Sequence, residues 1–326
     1  MNKVDKRVIH HDSKLIFQNL KQLGTILLVL VCAFFAPLKA SCESQLQSRQ
    51  IRLEHEVESE EPQRWSSFLP VWGDQARKRG YELPLAFGIS ANFYYERQDF
   101  EVQDLEIAFD GGNFISVGNF IQLEDIDTRQ SNINLRLDAW LFPFLNVYGL
   151  AGFTEGNMDG EVFVPGRPPL LPALTIPLDI DYEGPTYGGG VTLAGGFRLP
   201  ARPSLTVFAV ADGNLTRTDL DFVDDNLESG SKIDAFVFSS RLGVRERINE
   251  SLHGAVWVGA MYQNVAQDFE GRVKSLNISF KVEQEPQHPW NALVGARLEA
   301  GRHFDFILEG GLGGRRSILG TLSYRF

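Results

Sequence analysis

Arg315–Phe326, RRSILGTLSYRF, is the stretch on which the reading of this chain turns. Ile318, Gly320, Leu322, Tyr324 and Phe326 share one parity, while Leu319, Thr321, Ser323 and Arg325 share the other. A β-strand sends alternate side chains to opposite faces, so one face here is apolar and aromatic and the other mostly polar. Strand ends in water fray and are seldom aromatic. Tyr324 and Phe326 suit instead the aromatic girdle where a membrane barrel meets its interface.

Upstream, the same alternation recurs. Phe87, Ile89, Ala91, Phe93 and Tyr95 oppose Gly88, Ser90, Asn92, Tyr94 and Glu96; Ile133, Leu135, Leu137, Ala139 and Leu141 oppose Asn132, Asn134, Arg136, Asp138 and Trp140. Twelve strands are predicted: Ala86–Arg97, Phe100–Phe109, Asn113–Leu123, Arg129–Leu141, Phe144–Gly156, Thr186–Arg198, Pro203–Leu215, Lys232–Glu246, Glu250–Asn264, Pro289–Gly301, Phe304–Leu312 and Arg315–Phe326. At 9 to 15 residues they match the roughly 9–11 that a tilted strand needs to cross a bilayer. Tight turns are predicted at Asp110–Gly112, Phe142–Pro143, Leu199–Arg202, Arg247–Asn249 and Arg302–His303. The long connections Asn157–Pro185, Thr216–Ser231 and Val265–His288 fall on the opposite end. Short periplasmic turns and long extracellular loops sort in this way in membrane barrels. A soluble sandwich would mark its edges with Pro and charge.

The final strand, through Leu322, Tyr324 and Phe326, resembles the C-terminal strand of Gram-negative outer-membrane β-barrels. That resemblance implies an all-β, transmembrane, antiparallel up-and-down barrel of about 12 strands, with 10 to 14 allowed. It also implies an outer-membrane location, contact with lipid and lipopolysaccharide, and recognition of this strand by the barrel-assembly machinery.

The N-terminal residues fit export. Lys3, Lys6, Arg7, Lys14 and Lys21 precede the apolar run 23–37, and a small residue, Ala40, follows, which describes a signal peptide over 1–40. This segment holds six Lys/Arg and two Asp, so its removal near Ala40 takes the chain from −11 to −15. Cys42 is then the sole cysteine, which excludes an internal disulfide or a cysteine metal cluster. The acidic balance argues against nucleic acid as a partner. Residues 41–84 read as a periplasmic, largely disordered acidic lead-in, and 85–326 as the barrel. Within the lead-in, 65–81 reads as a short helix or as an interfacial linker anchored by Trp65 and Trp72.

On the parity opposite lipid stand Asp104, Glu106, Asp138, Glu299, Asp305 and Glu309 against Arg136, Arg198, Arg241, Arg245, Arg297 and Arg325. Arginine forms bidentate pairs with carboxylates, so these candidate lumen residues either brace a narrow barrel or line a path for solutes. The apolar, proline-bearing loop 157–185 reads as a constriction or an ordered cap. Asp219, Asp221, Asp224, Asp225 and Glu228 make the next loop acidic without the ordered spacing of a calcium loop. No nucleophile elbow, metalloprotease or phosphate-loop motif is present, and no cofactor or metal is expected. His288 with Ser317 is the one serine–histidine pair expected at the outer rim. The functional expectation is a passive channel for a small solute. The alternatives are a closed barrel that acts through its extracellular loops and, third, an outer-membrane hydrolase.

Overall fold

The computed structural model describes residues 68–109, 112–117, 122–164, 174–224, 227–229, 231–274 and 278–326; the expected signal peptide, Cys42 and residues 41–67 of the lead-in lie outside them. A short helix, α1 (Gly73–Lys78), comes first. The strands are β1 (Phe87–Phe109), β2 (Ile115–Ser116), β3 (Gln122–Phe142), β4 (Leu145–Val164), β5 (Leu174–Leu199), β6 (Arg202–Phe222) and β7 (Leu227–Ser229). They continue with β8 (Ser231–Arg247), β9 (Leu252–Val273), β10 (Ile278–Pro286), β11 (Trp290–Ala300), β12 (Phe304–Leu312) and β13 (Arg316–Arg325).

Ten strands make the lower wall, in the order β1, β3, β4, β5, β6, β8, β9, β11, β12, β13. The ring closes where Gly88–Arg97 of β1 pairs antiparallel with Arg316–Arg325 of β13. The count is ten, inside the expected 10 to 14 and below the central expectation of twelve. Ala86–Arg97 and Phe100–Phe109 belong to one 23-residue strand, β1, and β3 runs unbroken through the expected gap at 124–128. The expected tight turn at 110–112 therefore follows the upper end of β1, and its residues 110 and 111 lie outside the described residues. The four other expected tight turns stand at the periplasmic end. The long connections also shrink, because residues 157–164 and 174–185 are arms of the β4–β5 hairpin, and Asp219 and Asp221 lie on β6.

The physical reason is a reversal of chemistry partway up the wall. In the lower section the outward side chains are apolar: Phe87, Ile89 and Phe93 on β1, Ile133, Leu135 and Leu137 on β3, Leu298 on β11, and Leu322 and Tyr324 on β13 are all exposed. Higher on the same strands the outward positions are charged, with Arg97 bonded to Asp127 at 2.5 Å and Arg217 gripping Asp234 at 2.7 Å. A polar outward face at 97–99 and 127–131 imitates a loop in the sequence. It is a strand that has left the bilayer.

The interior reverses in step. Below, inward positions are polar, as at Ser90, Thr154, Thr186 and Ser323. Above, Leu105, Ile126, Met158, Tyr182, Leu220, Ile233, Val265 and Val282 form an apolar core, only 2 to 9 % exposed. These eight come one each from β1, β3, β4, β5, β6, β8, β9 and β10. The upper wall thus has eight strands. β10 takes the place of β11–β13, pairing with β9 on one side and β1 on the other. Burying each of these side chains contributes roughly 1.5–3 kcal/mol.

Backbone closure together with a lipid-type belt identifies the chain as an outer-membrane β-barrel, since an open sheet edge has no partners in lipid. Aromatic contacts mark the periplasmic rim, where Phe87 and Phe326 stack 6.1 Å apart and Phe304 and Tyr324 meet tilted at 5.2 Å. Leu135→Arg in the belt is expected to cost about 2–4 kcal/mol, whereas Glu155→Arg, on the outward face above it, should change stability by less than about 0.5 kcal/mol. Denaturant titration in lipid vesicles checks both.

Candidate functional site

The lower lumen is filled by ion pairs whose members come from strands that face each other or adjoin. Arg241 on β8 donates through Nε and Nη2 to both carboxylate oxygens of Glu309 on β12, at 2.6 and 2.8 Å, and Trp257 Nε1 donates to the same group at 2.6 Å. Arg245 donates to Glu299, with a closest approach of 2.6 Å, while Arg297 pairs with Asp305 at 2.8 Å and approaches Glu299 at 3.4 Å. Arg325 pairs with Asp138 at 2.8 Å, and Asn146 donates to that carboxylate at 2.6 Å. Arg136 donates to Asn146 at 3.1 Å and lies 3.5 Å over the Tyr148 ring. Glu309, Glu299 and Asp138 are each held from two residues, and Asp305 by Arg297 alone among the described residues. Removing one member of a buried pair of this kind typically costs 3–5 kcal/mol.

Of the expected lumen residues, Arg136, Asp138, Arg241, Arg245, Arg297, Glu299, Asp305, Glu309 and Arg325 are brought into these ladders. Arg198 sits lower, at the periplasmic mouth, where it meets Glu82. Glu106 is a correction. A bulge between Val102 and Asp104 resets the alternation, Leu105 turns into the apolar core, and Glu106 is left on the outer face. The Asp104 side chain lies outside the described residues.

The end of the lead-in straps the periplasmic mouth. Val71 donates its backbone N–H to Leu141 at 2.8 Å, and the Trp72 ring packs 4.9 Å from Phe142. The short helix α1 follows. Glu82 then accepts from Arg198 at 2.8 Å, Arg245 at 3.4 Å and Arg247 at 2.5 Å, which joins the strap to β5 and β8. Finally, Arg325 Nε donates to the Leu85 carbonyl at 3.2 Å. Burial alone would raise the Glu82 carboxyl, but Arg245, Arg247 and Arg198 together hold it below its ordinary value of 4.5.

Sequence reasoning missed the polar group above the ladders, where Arg315 faces Glu96 with an Nε–Oε2 separation of 3.7 Å. Parity was the available signal, because Arg315 falls on the same inward row as Ser317, Thr321 and Ser323. The expected serine–histidine pair is not assembled. Ser317 is buried, while His288 is exposed and packs on Gly314.

No protein-family model and no curated protein matches the chain. Solved structures similar to it include the outer membrane protein OprG from Pseudomonas aeruginosa, at 14% identity and a TM-score of 0.38, covering 75% of this chain and 99% of that one. The toluene transporter TbuX from Ralstonia pickettii shares 13% identity over 75% of this chain and 90% of its own, with a TM-score of 0.30. The attachment invasion locus protein Ail of Yersinia pestis shares 12% identity over 74% of this chain and all 100% of its own, with a TM-score of 0.21. At these identities and scores the likenesses assign no function to the chain.

A depressed carboxyl contributes stability that is present above its unfolded pKa and lost as the pH falls through the folded one. The Glu82 strap is therefore expected to stay docked at neutral pH and to release only below the ordinary carboxylate range. Trp72 emission followed against pH should shift in that acidic window, and Glu82→Gln, which removes the titrating carboxyl, should abolish that acidic step and leave the strap weakened at every pH.

Proposed function

We propose that this outer-membrane β-barrel is a closed barrel whose working part is the β-structure it raises above the membrane. The observation that carries the reading is the ring of eight apolar side chains across the upper interior, one from every strand of that section. A conducting path needs continuous water, and a buried apolar ring removes it. The ladders support the same reading from below. Arg241 and Glu309 satisfy each other in bidentate fashion, so few of their hydrogen-bonding positions remain for a passing solute.

Above the belt the wall presents a charged exterior around an apolar interior, which is the arrangement of a water-soluble domain. β4 and β5 run as a pair from Leu145↔Leu193 at the membrane end to Val164↔Leu174, so the hairpin projects well beyond the belt. A length of this kind is unnecessary for crossing a bilayer, for which about 9–11 residues suffice. It displays a surface to the medium. The role supported is thus binding or envelope organisation at the cell surface, with the lower barrel as its anchor.

Planar-bilayer recording of the refolded chain tests this against the passive channel expected from sequence. The expected trace is silent, both for the parent protein and for a form shortened at 165–173. Leu220→Asp with Ile233→Asp, which breaks the apolar ring, should then admit conductance steps. Steady unitary steps from the parent protein would reject the closed barrel and restore the channel.

A further inference from the structure

We infer that Arg198, Arg245 and Arg247 form a binding site for a dissolved, phosphate-type dianion at the periplasmic mouth, and that Glu82 is its tethered stand-in. Arg245 and Arg247 share the inward row of β8 with Arg241, and Arg198 stands on the inward row of β5 with Tyr182 and Thr186. β6 lies between those two strands, so the wall presents the three guanidiniums from two sides. All three converge on one carboxylate, Arg198 and Arg247 on Oε1 at 2.8 and 2.5 Å and Arg245 on Oε2 at 3.4 Å.

Charge in the mouth is out of balance. Arg245 also pairs with Glu299, which Arg297 shares, and Arg297 pairs with Asp305. In this network four guanidiniums meet three carboxylates among the described residues, and one of the three, Glu82, belongs to the strap. The wall by itself sets four cations against two carboxylates. His253, cross-strand from both Arg247 and Glu299, brings no negative charge. For Arg198 and Arg247, Glu82 is the only carboxylate within ion-pair distance among the described residues. The side chains of Arg198, Arg245 and Arg247 are 46, 27 and 51 % exposed, so a solute can reach them from the periplasm.

The surplus selects the ligand. A monoanion in place of Glu82 restores only the charge that the strap already supplies, whereas a dianion neutralises the wall. Geometry adds to the preference. Glu82 has two oxygens for three guanidiniums and shares Oε1 between two of them, while a tetrahedral phosphate can turn an oxygen to each. Glu82 is also placed to yield. It lies in 79–85, outside helix and strand, just after Gly80 at φ 82°, and the contacts of Val71 with Leu141 and of Leu85 with Arg325 hold the segment at either end. Strap and ligand compete for the same arginines, so docking of Glu82 lowers the apparent affinity for the ligand.

Calorimetric titration of the refolded chain in zwitterionic detergent tests this, with inorganic phosphate as the probe at mildly alkaline pH and constant ionic strength. Phosphate should bind saturably, about one per barrel, and acetate at least about tenfold more weakly. Glu82→Gln should tighten phosphate binding by about tenfold, a direction that damage to the mouth would not produce. Arg198→Gln with Arg247→Gln, folding verified by heat-modifiable mobility, should weaken it at least about tenfold, and Arg247→Gln alone serves if the pair does not fold. In the parent chain phosphate should also speed tryptic cleavage at Arg79. Vesicles containing phosphatidic acid, with no phosphate in solution, separate the two sources of such a group: the strap should stay resistant there, and its release would overturn a dissolved ligand in favour of a lipid headgroup. Absence of saturable phosphate binding, acetate binding as tight as phosphate, or phosphate binding by Glu82→Gln no tighter than by the parent would each overturn the site.

Discussion

Closure of the backbone hydrogen-bond ring is the constraint on which everything else in this molecule depends. Hydrocarbon offers no partner to a peptide N–H or C=O, so a sheet in lipid survives only if its first and last strands find each other. Here that union is Gly88–Arg97 with Arg316–Arg325, and the chain invests side chains in it as well. Ser90 donates to Ser323 at 2.8 Å and Thr321 donates to Asn92 at 2.8 Å, both across the seam. Arg325, at the seam's lower end, reaches one strand further to Asp138 on β3. The parity that gives this strand its lipid-facing Leu322 and Tyr324 therefore also supplies the inward groups that lock it.

A single β-ribbon serves two solvents by exchanging its faces. Below, lipid lies outside, so polarity is confined within, where guanidinium–carboxylate pairs fill the space that an aqueous pore would use. Above, water lies outside, and the apolar side chains turn inward. The exchange needs no break in any strand. It needs only that the alternation of polar and apolar residues slip by one position, and at Val102–Asp104 a bulge accomplishes that slip within β1. The two regimes meet at Arg315 and Glu96, where charge is still buried beneath an apolar roof.

Barrel class, wall parity and most inward arginines were legible in the sequence, because alternation with period two is a local signal that lipid makes stringent. Ile133, Leu135 and Leu137 admit one assignment only. The strand number was not legible, since nothing local separates a loop from a strand that has emerged into water; Arg97, Asp99 and Arg129 read identically in either state. Glu106 was misplaced for a related reason, as parity counted through an unseen bulge inverts. Partners were beyond reach as well. Arg241 and Glu309 are 68 residues apart, and only the closed ring makes them neighbours. Arg315 shares the inward parity of Ser317, Thr321 and Ser323, but it stands one residue before β13, so the alternation had to be carried past the strand's end to find it.

The change from ten strands to eight also bears on the order in which the molecule can come together. The upper ring is sealed by β1 with β10, both within a continuous run from Phe87 to Pro286. The lower ring needs β13, and so waits for the last residues of the chain. One protein thus holds two nested closures, of which the inner in sequence can finish first. Contacts of shorter sequence separation form with the smaller entropic penalty. The apolar ring is thus placed to act as a template that brings β1 and β9 near each other while the gap between them is still open. β11, β12 and β13 then enter as a wedge of three short strands into a slot whose two edges are already fixed.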